Sequence, residues 1–562
     1  MLQPKKTFYL LIVCSLFAYS AFSQQWGDYT FYSVKNSNAA YLIDTNSAVY
    51  HSWSGLSPTT SYSSYVLPGG DLIRTVNHSG NVFTGGAMTG EFEKIDYNGN
   101  LLWDFAYSTS AYCSHHDICP LPNGNVLLIA YESKTSAEVA QAGCSSSITM
   151  WPDKIVEIQQ TGLTTGTVVW EWHLWDHLCQ NYNSAKDNYV AATSDHPELF
   201  NINYNPIKEI WHANGLDYNP VLDQIIVSAH NANEVYIIDH STTTAEAAGH
   251  TGGLGGRGGD FLYRWGKPAT YGQAGAAIFN VVHDAHWIPE EYVNGGRIVG
   301  FNNNGISNTV SCVDQISTPV SGYNYQYTPN TAYTPSTYTS RLACTGHTNN
   351  EGGSQQLPNG NQLVCVAFSG LIYEVDPAGN TIWSVSIPGV VSQAFRYSDC
   401  YVSNQPPPLP TISQNGAVLS SSPAAVYQWY LNGTKITGET NQSYTASQSG
   451  IYLVRTTDSN GCVFRYSSNL NYSFTSSVNQ NSLRNDKYLI YPNPSTAIVH
   501  IENQFSPASS FDVAVCDIAG RAILHLKNRN FVDLSPYDEG VYHLMITEED
   551  GSSVSQKIIL IK

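Results

Sequence analysis

Two short stretches set histidines at one spacing from a proline. In SHHDICPLP, His116 stands six residues before Pro122, and in VVHDAHWIP, His283 stands six before Pro289. WHANGLDYNP places His212 eight residues before Pro220, and GHTNNEGGSQQLP places His347 eleven before Pro358. Imidazole titrates nearest neutral pH, so converging histidines can serve as nucleophile, proton donor or metal ligand. One histidine alone is more often a hydrogen-bonded structural residue; recurrence at matching places favours function.

The elements that would position them come from internal repetition. LPNGNVLLIAYES (121–133) is followed by DKIVEIQQTGLTTGTVVWEW (153–172), and LPNGNQLVCVAFSGLIYEVDPAGNTIWSV spans 357–385. LPGGDLIRTV (67–76) is followed by EFEKIDYNGNLLWDF (91–105). Weaker copies are NPVLDQIIVSAHNANEVYIID (219–239) with a later FLYRWG, and IPEEYVNGGRIVGFNNN (288–304); AYLIDTNSAVYHSW (40–53) supplies an outer half. Each unit reads as turn, apolar strand, alternating strand ending in Ile/Val-Asp, Gly turn, and strand ending in Trp. That is one blade of a propeller. Five units and the N-terminal half predict six blades, the ring closing near Val390 to Val402 and so hiding its free edges.

In such a ring the segment entering each innermost strand lines the channel mouth, so His116, His212, His283 and His347 should face one another. Period-two alternation lets only one of His115 and His116, and one of His283 and His286, face the channel. Register selects His116 and His283, and leaves His286 to packing and Asp284 to a turn or orienting role. Asp96, Asp239 and Asp376 read as turn caps, and the blade-end tryptophans as ring packing. The run GGLGGRGGD (252–260) lacks the strand-to-helix setting of a phosphate loop and reads as a flexible connection.

The 562 residues exceed one domain, and a formal charge of −19 argues against nucleic-acid or anionic-membrane partners. Residues 1–23 carry Lys5 and Lys6, an apolar run and a small-residue cleavage site, a secretory signal peptide. No other apolar run nears the ~20 residues that span a bilayer, so no transmembrane segment is expected in the mature chain. Export makes disulfides plausible, with Cys113–Cys119 and Cys312–Cys344 as the expected pairs. No CxxC pair or tight Cys/His cluster points to structural zinc. After Cys400 the proline-rich NQPPPLPTI marks a linker, and 426–467 alternates like a small immunoglobulin-like sandwich. The expected organisation is therefore all-β: signal peptide 1–23, six-bladed β-propeller 24–403, immunoglobulin-like β-sandwich 404–475, and a final β-sandwich 476–562.

That final piece, with YPNPS, FDVAVCDIAGRAILHL, LSPYDEGVYHLMI and a terminal KIILIK, resembles the C-terminal sorting domain of type IX secretion. The resemblance implies the type IX machinery as a partner and release to, or anchoring at, the cell surface. SHHDICPLPNGNVLL, EIWHANGLDYN, IIVSAHNANEVYIID, VVHDAHWIP and QAFRYSDC together resemble the bacterial arylsulfate sulfotransferases, six-bladed propellers with a histidine-lined centre. This implies a small aromatic sulfate ester and a phenol acceptor as substrates, with no metal and no organic cofactor. It implies His283 as a nucleophile that becomes sulfated, and His116 and His212 as proton or hydrogen-bond donors. The family's arginine falls at His230, within SAHNA, so histidine must do an arginine's work there. Arg396 and Arg264 are the guanidinium candidates to take over, and His347 and Arg396 are expected to bind substrate. The competing readings are a non-catalytic ligand- or glycan-binding propeller and a His-ligated metal-binding propeller.

Overall fold

A computed structural model describes residues 24–473, 487–504, 510–518 and 520–562. The signal peptide expected at 1–23 lies outside the described residues. The chain divides into two compact units, one ending at Tyr472 and one running from Ser473. Among the described residues no helix is long and apolar enough to cross a membrane.

The first unit contains six four-stranded antiparallel sheets, the blades of a β-propeller. Blade 2 is Thr60–Val66, Leu72–Asn77, Gly90–Ile95 and Leu101–Ala106. Blade 3 is Tyr112–Pro120, Val126–Glu132, Asp153–Gln160 and Gly166–His173. Blade 4 is Ala213–Asn219, Gln224–Ala229, Glu234–Asp239 and Tyr263–Trp265; blade 5 is Val282–Trp287, Ile298–Ser307, Val310–Ile316 and Ser340–Ala343. Blade 6 is Gly353–Gln356, Gln362–Val366, Leu371–Val375 and Thr381–Ser386. Blade 1 joins both ends of the propeller: Ala394–Tyr397 is its inner strand, followed outward by Tyr29–Ser33, Ala39–Asp44 and Val49–Ser54. The N-terminus thus gives three strands where the repeat pattern indicated two. Tyr29–Ser33, too divergent to match the repeat, pairs on one side with Ala394–Tyr397 and on the other with Ala40–Asp44.

Burial follows from the layering. Second strands such as Val126–Glu132 are apolar almost throughout and buried on both faces, because a blade lies on either side. Outer strands such as Leu101–Ala106 alternate toward solvent. The propeller core is a set of layers, one between each neighbouring pair of blades, instead of a single centre. The recurring Asp-x-x-Gly-Asn is an Asx turn. Asp96 accepts from the backbone N–H of Asn98 and Asn100 at 2.9 and 2.7 Å, with Gly99 at φ +89°, and Asp376 repeats the pattern with Ala378 and Asn380. The tryptophans join blades: Trp53 Nε1 of blade 1 donates to Asp96 O of blade 2 at 3.0 Å.

Residues 412–472 form two small antiparallel sheets around Leu419, Trp429, Tyr452 and Val454. A disulfide joins Cys400, in the helix Asp399–Ser403 just after the closing strand, to Cys462 of this module. The expected pairings are corrected: Cys113, Cys119, Cys312 and Cys344 are all free and buried. Cys113 and Cys119 belong to one extended strand, which holds their side chains apart, and sequence nearness says nothing of the Cα spacing a disulfide needs. The second unit packs a three-stranded and a four-stranded antiparallel sheet around Val499, Val513, Leu544 and Ile558.

Candidate functional site

The inner strands carry irregularities at one level of the channel. Pairing shifts between Ser114 and Ile118 in blade 3, Ala213 and Gly215 in blade 4, and His283 and His286 in blade 5. Next to these bulges His116, His212 and Asp284 adopt φ of +53°, +56° and +52°, and Glu351, ahead of the blade 6 inner strand, +58°. Left-handed non-glycine residues cost on the order of 1 kcal/mol or more each, and bulges re-aim side chains, so such strain clusters where a site is built.

The result is a continuous line of imidazoles. Ring centroids of His116 and His212 stand 4.9 Å apart, His212 and His230 5.1 Å, and His230 and His283 5.7 Å. Blades 3, 4 and 5 therefore bring His116, His212, His230 and His283 together. His116 and His283 are buried, whereas His212 and His230 are partly exposed on the open side.

His283 is held as one tautomer. Asn303 donates its amide to Thr348 O and Glu351 O at 2.9 and 2.8 Å, which turns its Oδ1 toward His283 Nδ1 at 2.7 Å. Nδ1 thus carries the proton, and Nε2 keeps a lone pair, accepting from Glu351 N–H at 3.2 Å. Burial, then the neighbouring His230, pushes the His283 pKa down to about 3, so the ring is neutral at pH 7.

His212 is backed by a carboxylate. Its Nδ1 donates to Glu209 Oε2 at 2.6 Å, and Tyr131 OH donates to the same oxygen at 3.0 Å. Burial would raise the Glu209 pKa, but the hydrogen bonds from His212, Gly86 N–H and Tyr131 outweigh it and bring it down to about 2. Glu209 is a fixed anion that orients His212 and can stabilise its imidazolium, the arrangement of a carboxylate-backed acid–base histidine.

Alternation does not hold across the bulge, so His115 belongs to the site and is not turned away from it. Its Nδ1 lies 2.8 Å from His116 Nδ1, and its ring stacks on Tyr131 at 3.6 Å. Its Nε2 stands 3.1 Å from Asp153 Oδ1 without the alignment of a hydrogen bond. Burial raises Asp153 to about 7, against the pull of His212 and the backbone N–H groups of Ala213 and His212. His286 instead hydrogen-bonds Asp284 O at 2.8 Å. Asp284 accepts from Ser354 N–H and Gln393, tying blade 5 to blades 6 and 1.

Two expected substrate-binding residues lie elsewhere. Arg396 points outward: buried over the Trp383 ring at 4.5 Å, it has its guanidinium 3.2 Å from Glu374. Burial lowers its pKa to about 10, with Glu374 opposing. Arg264 is likewise buried against Glu234 at 2.5 Å. His347 bonds Asn304 Oδ1 at 2.9 Å and makes no ring contact with the four histidines among the described residues. Its loop reaches the site through other residues, Asn350 with Oδ1 3.2 Å from His230 Nε2, and Glu351. His230 takes an uncharged position, since burial, then His212, lowers its pKa below the ordinary value.

The sequence reading also missed Glu209, Lys35 and the loop Asn81–Met88. Lys35 Nζ pairs with Glu351 at 2.5 Å and is among the charges that, after burial and the nearby histidines, lower the pKa of His116. Ser392 holds the other Glu351 oxygen at 2.8 Å. The loop covers the histidines with glycine: a Cβ on Gly86 would stand 2.7 Å from His212 Cε1 and 3.7 Å from His116 Cε1. The repeated Gly-Gly of this loop was the one visible signal. A cavity of about 920 Å³ lies at the other end of the inner strands, lined by Pro122, Pro220, Tyr292 and Arg465, and contains none of the four histidines. Titratable side chains converge at the histidines and not in that cavity, so the candidate site is placed at the histidines.

A family model described as Arylsulfotransferase (ASST) matches residues 64–387, and one described as Secretion system C-terminal sorting domain matches residues 489–562. No curated protein matches the chain. Among solved structures, a protein of unknown function from Bacteroides caccae is 12% identical with a TM-score of 0.37, over 66% of this chain and 98% of that one. A catalytically inactive virginiamycin B lyase from Staphylococcus aureus with quinupristin is 9% identical with a TM-score of 0.29, over 73% of this chain and 94% of that one.

Proposed function

The chain belongs to the arylsulfotransferase family and carries a sorting domain that marks it for export to the cell surface or release, and on that premise we propose that it passes a sulfuryl group from a phenolic sulfate ester to a phenol acceptor through a sulfohistidine at His283. The observation that carries this reading is the fixed tautomer of His283, whose Nε2 lone pair meets only the Glu351 N–H, at a long 3.2 Å that substrate can displace, on a ring that stays neutral.

Nε2 attacks sulfur, the bond from sulfur to the aryl oxygen breaks, and the phenolate leaves with a proton from His212, whose charge Glu209 balances. His212 then takes the proton of the acceptor phenol as its oxygen attacks the sulfohistidine, which restores His283. Transfer of this kind passes through a loose transition state with charge on the sulfuryl oxygens, so fixed donors matter more than covalent assistance. His116 and His230 supply hydrogen-bond donors. His230 is held neutral by burial, and Lys35, the cation near His116, is held in an ion pair with Glu351. No step requires a metal or an organic cofactor.

We read residues 24–403 as the catalytic propeller, 404–475 as an immunoglobulin-like spacer and 476–562 as the sorting domain, delivered by a cleaved signal peptide and the type IX machinery. The test incubates the protein with a chromogenic aryl sulfate and a phenol, with intact-mass detection of a sulfated enzyme. Product formation and a sulfated protein are expected, both lost in His283→Ala. Transfer that survives His283→Ala overturns the nucleophile assignment, and a folded parent that transfers nothing overturns the activity.

A further inference from the structure

The run GGLGGRGGD is not slack. Gly259 N–H donates to Gly249 O at 3.0 Å, and Trp172 Nε1 donates to Gly259 O at 2.7 Å. A Cβ on Gly259 would stand 2.5 Å from His177 Nε2, so glycine is what lets the loop press against that ring. His177 follows the outer strand of blade 3; His250 and Asp260 lie in the connection that leads to the outer strand of blade 4.

Asp260 Oδ1 lies 2.8 Å from Nδ1 of both His177 and His250, and the three ligand atoms stand within 4.8 Å of one another. His177 is fully buried, and its other nitrogen, Nε2, is 2.8 Å from Ala247 O. Both nitrogens of this ring therefore face acceptors, whereas a neutral imidazole has one N–H. A second proton or a metal ion on Nδ1 meets this demand, and either leaves Nε2–H to donate to the carbonyl. Metal-bound histidines commonly show this arrangement, the outer partner fixing the tautomer.

The geometry points to a second site, separate from the axial histidines, that binds a divalent transition metal ion, zinc foremost, through His177 Nδ1, His250 Nδ1 and Asp260 Oδ1, with water as fourth ligand. Two imidazoles and a carboxylate suit zinc's borderline ligand preference. Bonds of ~2.0–2.1 Å in a tetrahedron separate ligand atoms by about 3.4 Å, so the present contacts need to open by about 0.5 Å. His250, with 60% of its side chain exposed, is free to open its own contact and leaves a side open to water, whereas the buried His177–Asp260 contact has to open by rotation of the Asp260 carboxylate. Bound metal would clamp the exit of blade 3 to the outer edge of blade 4.

Equilibrium dialysis of the full-length protein against zinc chloride, read by elemental analysis, tests this. About one tightly held zinc per chain is expected in the parent. His250→Ala removes an exposed ring and should keep the fold while weakening binding by more than ~100-fold, beyond what loss of an outer partner costs. Asp260→Asn should weaken it similarly. His283→Ala, which disrupts the axial cluster, should keep the zinc. No tight zinc in the parent overturns the proposal. Equal zinc in His250→Ala, or its loss in His283→Ala, overturns it as well by placing the metal elsewhere.

Discussion

Gly86→Ala is a one-methyl probe of the imidazole line. The backbone at Gly86 lies outside the left-handed region, so alanine meets no conformational barrier. The obstacle is the methyl group, 2.7 Å from His212 Cε1 and 3.2 Å from His212 Nε2. Carbon pairs settle at ~3.5–4.0 Å, so the ring or the loop must shift by about 1 Å. The ring is anchored at Nδ1 by Glu209 at 2.6 Å, and swinging it away stretches that bond and moves Nε2 off the leaving oxygen. A displacement of ~1 Å at a reacting group costs roughly 100-fold in rate, about 2.7 kcal/mol. Initial rates of aryl sulfate to phenol transfer should therefore fall by about two decades in kcat with little change in KM, because the methyl touches the proton donor and not the substrate-holding charge. Gly249→Ala, whose Cβ would find its nearest neighbour at an ordinary 3.6 Å, is the control and should keep the parent rate. A Gly86→Ala enzyme with the parent kcat would refute both the placement of the loop over His212 and the role given to that ring.

Glu209→Gln should keep the fold, since glutamine can still accept from His212, but removes the charge that balances an imidazolium. A fall in kcat of ~100-fold or more is expected with poor leaving groups, shrinking for nitrophenol-like donors that depart without a proton; equal losses across the donor series would contradict the assignment. The buried carboxylates give a pH signature in stability. Burial raises Asp117 from 3.8 to about 7, against hydrogen bonds from Tyr65 and Leu216 N–H and with Asp284 adding to the rise. A carboxylate raised in the folded state contributes stability that is full below the unfolded pKa and lost as pH rises through the folded one. Between pH 5 and pH 8 Asp117 should cost about 2–3 kcal/mol. Denaturant unfolding at the two pH values should show that difference shrinking in Asp117→Asn, and an unchanged difference would count against a protonated Asp117.

How much could be read beforehand depended on whether a residue belonged to the repeat. Asp96 and Asp376 sit in Asx turns whose spacing recurs, so the blades were legible, and His116 and His283 could be aligned through their distance to a proline. Glu209, Lys35 and Gly86 lie in connections that occur once, where no periodicity constrains them. Alternation failed at His115 because a bulge inserts a residue exactly there, and bulges leave no mark in a pattern of apolar and polar residues. Arg396 was legible as a ring-closing residue but not as the partner of Glu374, since facing depends on the strand's own register. The same blindness hid His177, which lies far in sequence from His250 and Asp260 and meets them only because the glycine-rich loop folds back on itself.

The seam in blade 1 has a consequence for timing. Tyr29–Ser33 is made early, yet its inner partner, Ala394–Tyr397, follows hundreds of residues later. At ~5–20 residues per second the gap is on the order of 20–70 s of synthesis. Lys35 lies beside that seam, and its partner Glu351 belongs to blade 6, so the ion pair forms across the final junction. A nascent chain can hold Lys35 and all four histidines and still lack Glu351, which fixes that cation. The centre becomes complete only as the ring shuts, which ties competence to the arrival of Ala394–Tyr397 and keeps shorter fragments silent.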